Sequence, residues 1–169
     1  MDHSIFALGY AFIEDDRPGE FHLERALELG VPQGPLFGQL QRGQSVTLED
    51  GRQIRPQDVL GSPRKGRRFV HALDTRPCRE VVELARDADL LVHDGMFAQE
   101  LAEDAQQMGH STAAQAAQIA REACVRQLLL SHISQRYRDE KILLREAQEI
   151  FPQTAVARDL MTVEIPLRR

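Results

Sequence analysis

Apolar positions change their rhythm near residue 68. Beyond it, short apolar runs alternate with stretches of helical period. Residues 68–73 predict a strand, 79–88 a helix, 89–93 a buried strand and 97–108 a second helix. Ser111 or Thr112 supplies an N-cap for a third helix running to about residue 123. Residues 127–131 predict a strand, 140–151 a helix, and 154–157 and 160–165 two short closing strands. Strands alternating with helices argue for an α/β layered body. Before residue 68 the pattern is different. Residues 6–13 predict a strand interrupted by Gly9, followed by a turn cluster at 15–19. Residues 21–29 predict a helix ended by Gly30. Residues 31–38 hold two prolines and two glycines, which predicts an irregular path. Residues 45–54 predict a hairpin turning at Glu49-Asp50-Gly51, and 61–68 a basic connector. The expected organisation is a body (1–14 with 63–169) carrying an excursion (15–62), and an excursion that long is usually functional.

Composition narrows the function. The chain has 169 residues, 42% of them hydrophobic, enough to pack a core of ordinary domain size. No apolar run approaches the length of a membrane span, and the N-terminus has neither the basic region nor the apolar stretch of a secretory signal. With only Cys78 and Cys124, a disulfide scaffold is not expected; a reducing cytoplasm is the expected compartment, and no membrane partner is expected. Net charge is −5, yet residues 39–68 carry seven basic side chains (Arg42, Arg52, Arg55, Arg64, Lys65, Arg67, Arg68) against three acidic ones. A basic excursion on an acidic body points to a phosphate-bearing partner or to a solvated loop. The absence of Trp and the 5% aromatic content leave few platforms for base stacking.

Strand ends are where α/β folds place reactive side chains. Three predicted strands here end in Asp74-Thr75-Arg76, His93-Asp94 and Ser131-His132. A fourth cluster, Gly109-His110-Ser111-Thr112, precedes a helix N-terminus, where backbone N–H groups favour anions. Imidazole and carboxylate donors suit Zn²⁺. Each feature alone reads first as a hydrogen-bonded structural histidine or as a capping or turn aspartate.

Taken together, eight stretches carry a resemblance: DHSIFALGYAF (2–12), DRPGEF (16–21), the segment 30–54, LDTRPC (73–78), LLVHDGMF (90–97), GHSTAAQAAQIA (109–120), LLLSHISQRY (128–137) and 146–159. In order and spacing the chain resembles the C-terminal half of the ribonuclease Z family, the tRNA 3′-processing endonucleases of the metallo-β-lactamase superfamily. The resemblance implies an α/β fold, a partial metallo-β-lactamase-type αβ/βα sandwich, spanning residues 1–169 with a protruding tRNA-binding arm at 15–62. It implies zinc-dependent cleavage of precursor tRNA, two zinc ions in the complete enzyme, and a homodimer. By position, His3, Asp74 and His132 are implied metal ligands, and His110 and Arg136 catalytic residues. Gly34-Pro35 matches the arm's Gly-Pro motif, with Arg42, Arg64, Lys65, Arg67 and Arg68 as implied contacts to the nucleic acid.

Three departures qualify the match. The family's H-x-H-x-D-H signature, which supplies most metal ligands, does not occur; the six histidines are His3, His22, His71, His93, His110 and His132. Leu73 stands where the family has glycine before the bridging aspartate. Asp94 stands where it has glutamate, one methylene longer. The expectations are therefore an incomplete ligand set, no activity alone, a separate N-terminal half as partner, a sheet face without its usual cover, and marginal stability. The alternatives are a non-catalytic tRNA-binding fragment and a truncated, inactive gene product.

Overall fold

A computed structural model describes residues 1–168. The chain divides into two compact units, Met1–Glu14 with Arg67–Pro166, and Asp15–Gly66 with the residues from Leu167.

The first unit is built on a sheet of five strands: β1 (Tyr10–Ile13), β4 (Arg68–Ala72), β5 (Leu90–Asp94), β6 (Leu128–Ser131) and β7 (Thr154–Val156). They lie side by side in the order β1-β4-β5-β6-β7. β1 is antiparallel to β4, pairing Tyr10 with His71 and Phe12 with Phe69. The other four strands are parallel, each joined to the next through helix. All five residues of β5 are buried, as expected of a central parallel strand covered on both faces.

One face carries α4 (Arg79–Ala85), α6 (Ala113–Glu122) and α7 (Lys141–Ile150). Four alanines of α6 (Ala113, Ala116, Ala117 and Ala120) are buried there, and their small side chains bring the helix close to Leu128 and Leu130. Thr112 starts α6 with a reciprocal cap: its Oγ1 accepts from Gln115 N–H at 3.1 Å, and the Gln115 side chain accepts from Thr112 N–H at 2.9 Å. Before α6 lie a 3₁₀ turn (Gln99–Leu101) and α5 (Ala102–Met108).

The opposite face corrects two expectations. Residues 160–165 form no strand; they run as irregular chain, and Val163 and Ile165 pack against a cluster of Leu90, Val92 and Leu129. The apolar side chains thus satisfy themselves on the sheet without joining its ladder. That face is therefore not bare at its centre, where Leu90, Val92 and Leu129 are all buried. Its edge stays open: Tyr10, Phe12 and Ile13 are each more than half exposed, although Phe12 stacks on Phe69 at 5.6 Å.

The second unit has its own core: Ala26, Val31, Leu40, Val46, Leu48, Ile54 and Val59. It comprises α1 (Leu23–Glu28), α2 (Pro35–Gln41), the hairpin β2 (Val46–Thr47) with β3 (Gln53–Ile54), and the single turn α3 (Pro56–Val59). The prolines and glycines of residues 31–38 predict an irregular path throughout, but α2 starts inside them. Pro35 occupies the first helical turn, where its missing N–H costs nothing, and Gly34 (φ +146°) supplies a backbone turn that L side chains rarely adopt. Among the described residues no helix is long and apolar enough to cross a membrane.

Leu130, fully buried between β5, β7 and α6, reports on the main core. Leu130→Ala is expected to lower unfolding free energy by about 2–5 kcal/mol, read from urea denaturation; a loss under about 1 kcal/mol contradicts this packing.

Candidate metal centre

Because β4, β5 and β6 are adjacent and parallel, their C-terminal ends open on one side of the sheet. Asp74 lies two residues beyond β4, Asp94 is the last residue of β5, and His132 follows β6 directly. Both Asp74 (φ +51°) and His132 (φ +58°) take the left-handed backbone region. That conformation is uncommon for residues with a side chain and tends to cluster at functional sites. Here it turns the two side chains toward each other: His132 Nδ1 is 2.8 Å from Asp74 Oδ1.

His110 enters from the loop between α5 and α6. Its ring centroid lies 4.9 Å from that of His132. One donor atom each from Asp74, His110 and His132 falls within a sphere of mutual distances no greater than 4.8 Å. One carboxylate and two imidazoles form a donor set suited to zinc, which takes nitrogen and oxygen ligands and in catalytic sites commonly has three from the protein.

His110 is oriented by a residue to which the sequence assigns no role. Asp94 is wholly buried, and its Oδ2 lies 2.7 Å from His110 Nδ1. A carboxylate can only accept, so Nδ1 carries a hydrogen and Nε2 is the nitrogen left outside this bond. The same carboxylate accepts from the N–H groups of Thr75 (3.3 Å), Met96 (3.1 Å) and Ser111 (3.5 Å). Ser111 Oγ donates in turn to Thr75 O at 2.7 Å. The signal for this in the sequence is a carboxylate closing an otherwise apolar strand, where it has nothing else to solvate it.

His3 stands at the rim, outside the tight set, with its ring edge-on to His110 at a centroid distance of 5.3 Å. The Arg136 guanidinium lies 4.8 Å over the Phe97 ring, and its Nε donates to Ser134 Oγ at 3.2 Å. Phe97 also neighbours His110, at 6.5 Å between centroids.

The implied nucleic-acid contacts separate into two groups. Gly34, Pro35, Arg42, Arg64 and Lys65 belong to the second unit, where Arg42 caps the C-terminus of α2. There Arg64 Nε donates to Pro18 O, and Lys65 pairs with Asp16 at 2.8 Å while staying largely exposed. Arg67 and Arg68 belong to the first unit. Arg67 Nε donates to Glu14 Oε2 at 2.8 Å, and Arg68 Nη2 donates to Leu84 O at 2.7 Å.

One buried histidine adjoins the site. His93 Nδ1 donates to Asp94 O at 2.7 Å, while Nε2 is buried without a partner. Burial disfavours the charged ring and holds its pKa below the ordinary 6.5; the Asp94 carbonyl and carboxylate oppose this only in part.

Comparison with known proteins gives this geometry a family. Residues 41–133 match the model of the beta-lactamase superfamily domain. Over 170 residues the chain is 54% identical to a protein named ribonuclease Z from Myxococcus xanthus, covering 99% of this chain and 55% of that protein. It is 52% identical over 168 residues to one of the same name from Methanosarcina acetivorans, covering 99% and 55%. The chain thus spans about half the length of the relatives it matches. The crystal structure of YhfI, a metallo-beta-lactamase fold protein from Bacillus subtilis, superposes with a TM-score of 0.50 and 26% identity over 54% of this chain and 37% of that one. The resemblance and the α/β fold class expected from the sequence are borne out.

His93 gives the pH dependence its sign. Between pH 7.5 and 5.5 the unfolded chain takes up a proton on residue 93 that the fold resists, so stability falls as pH falls, by up to about 1.4 kcal/mol at one unit below 6.5. Urea midpoints of the parent and of His93→Gln at both pH values check this: the variant is expected to show the shallower pH slope, and equal slopes count against a neutral buried ring.

Proposed function

This chain belongs to the beta-lactamase superfamily, and we propose that it is the C-terminal portion of a ribonuclease Z-type endoribonuclease that matures tRNA 3′ ends. The observation that carries this is the convergence of Asp74, His110 and His132 at the ends of parallel strands, in a chain about half identical to proteins named ribonuclease Z.

Asp74 and His132 would hold zinc, with His3 adding a ligand from the rim. Bound there, zinc supplies Lewis acidity at the scissile phosphate and acidifies water. The chain's own residues handle the remaining charge and protons. His110, fixed through Nδ1 by Asp94, presents Nε2 as the group that carries a proton to the leaving oxygen. Arg136, steadied by Phe97 and Ser134, offers a fixed positive charge to the phosphate. A second role for His110 has its own support: its place in the tight donor set suits a zinc ligand backed by a carboxylate. Removing His110 separates the two roles. A proton carrier leaves zinc affinity nearly unchanged and abolishes cleavage, whereas a ligand takes the metal with it.

The same proposal includes an H-x-H-x-D-H segment supplied from outside these residues, in the same polypeptide or another. The exposed Tyr10, Phe12 and Ile13 at the open sheet edge offer it an apolar seat. It also includes a homodimer, a cytoplasmic location, and a second unit that holds the tRNA body through Gly34-Pro35 and the exposed cations Arg42, Arg64 and Lys65. Arg67 and Arg68, already engaged within the first unit, contribute less. A non-catalytic tRNA-binding module would keep this grip without taking up zinc.

Mixing the chain with a ribonuclease Z N-terminal half, zinc and a precursor tRNA is expected to restore cleavage that neither part shows alone. Asp74→Asn is expected to lower it by at least about a thousandfold, since metal charge and water activation are lost together. A folded complex that binds zinc and never cuts contradicts the enzyme.

Binding of tRNA, read at several salt concentrations, tests the arm separately. Arg64→Ala with Lys65→Ala is expected to weaken binding and to flatten its salt dependence by about one unit of slope for each phosphate that these cations neutralise. An unchanged slope removes these two residues from the interface.

A further inference from the structure

The segment that carries His3 is tied down by several specific contacts. Asp2 forms an isolated antiparallel bridge with Arg76, whose N–H donates to Asp2 O at 2.8 Å. Asp2 N–H donates to Thr75 Oγ1 at 3.0 Å, and Thr75 is fully buried. The Arg76 guanidinium makes two further links: Nη1 donates to Asp2 Oδ1 at 3.1 Å, and Nε donates to Gln106 O at 2.6 Å. Its side chain is 17% exposed, whereas that of Asp2 is 52% exposed. Arg76 is therefore a half-buried node joining three pieces: the loop after β4, helix α5, and residues 1–3.

The consequence appears one residue on. His3 lies across Gly109, the left-handed C-cap of α5. A Cβ on Gly109 would come within 2.8 Å of His3 Cδ2 and 3.1 Å of Nε2, so the glycine makes room for the imidazole as well as accepting φ +90°. Gln106, held by Arg76, and Gly109, against His3, belong to the same end of α5. One side chain thus fixes both the backbone that carries the ring and the helix end on which the ring rests.

We infer that Arg76 is a positioning residue that acts through Asp2 to hold the His3 imidazole beside His110. Its relevance to zinc rests on the function proposed above; the placement of the ring does not. A guanidinium suits this task because its planar fork reaches a carboxylate and a carbonyl in two directions at once, which a lysine ammonium on a flexible stem does not match.

The ring can be followed without metal. In the metal-free full chain, NMR is expected to show a nuclear Overhauser contact between the His3 ring and the Gly109 Hα atoms. Arg76→Met is expected to abolish it while the amide signals of the sheet stay in place. Asp2→Ala, at an exposed position, is expected to weaken the contact in the same direction and serves as the readout if the Arg76 variant does not fold. Zinc titration then links placement to the site. Arg76→Met and His3→Ala are each expected to weaken affinity by about 10- to 100-fold, and the double variant to be no weaker than His3→Ala alone. A contact that survives both Arg76→Met and Asp2→Ala overturns the inference, as do losses that multiply in the double variant. A parent chain that takes up no zinc refutes the metal site, while the ring contact still decides the role of Arg76.

Discussion

The site depends on one buried carboxylate. Asp94 has no exposure to water, and a carboxylate in that position is tolerable only when donors replace its hydration. It finds them in the Thr75, Met96 and Ser111 N–H groups and in the His110 ring. The donors come from three turns around the strand ends, with His110 and Ser111 sharing one, so satisfying the charge gathers those turns. The expected glutamate would reach further, yet the aspartate closes a 2.7 Å bond to His110. The shorter side chain is accommodated.

Around this anchor the structure trades local comfort for convergence. Asp74 and His132 hold left-handed backbone that non-glycine residues usually avoid. The cost, of order 1–3 kcal/mol each, is carried by the packed sheet beneath, whose strands β5 and β6 are almost wholly buried. His93 plays a related part: its bond to Asp94 O restrains the end of β5, and burial keeps the ring neutral. The second unit, with a separate core, is free of these constraints and carries its charge at the surface.

Much of the layering is legible along the chain. The alternation of strand and helix after residue 68, the Thr112 cap and the hairpin at 45–54 all appear where local periodicity and turn chemistry place them. The misses have local causes as well. Pro35 reads as a breaker although the first turn of a helix tolerates it, and residues 160–165 show strand-like apolar alternation that packs on a sheet face without pairing. Asp94 is visible in the sequence as a strand-end carboxylate and as a departure from a family pattern, with no partner assigned to it. Its work lies in hydrogen bonds to residues up to 19 positions away.

By itself the sequence determined which side chains end the strands, because period and punctuation are properties of neighbours along the chain. Its family resemblance named His3, Asp74 and His132 as metal ligands and kept His110 apart as a catalytic residue. Only the tertiary structure decided that His110 joins the tight donor set while His3 waits at its rim, that Asp94 orients His110, and that Arg76 ties down residues 1–3. Parallel strand register brings together positions dozens of residues apart, and no short stretch of sequence encodes that distance.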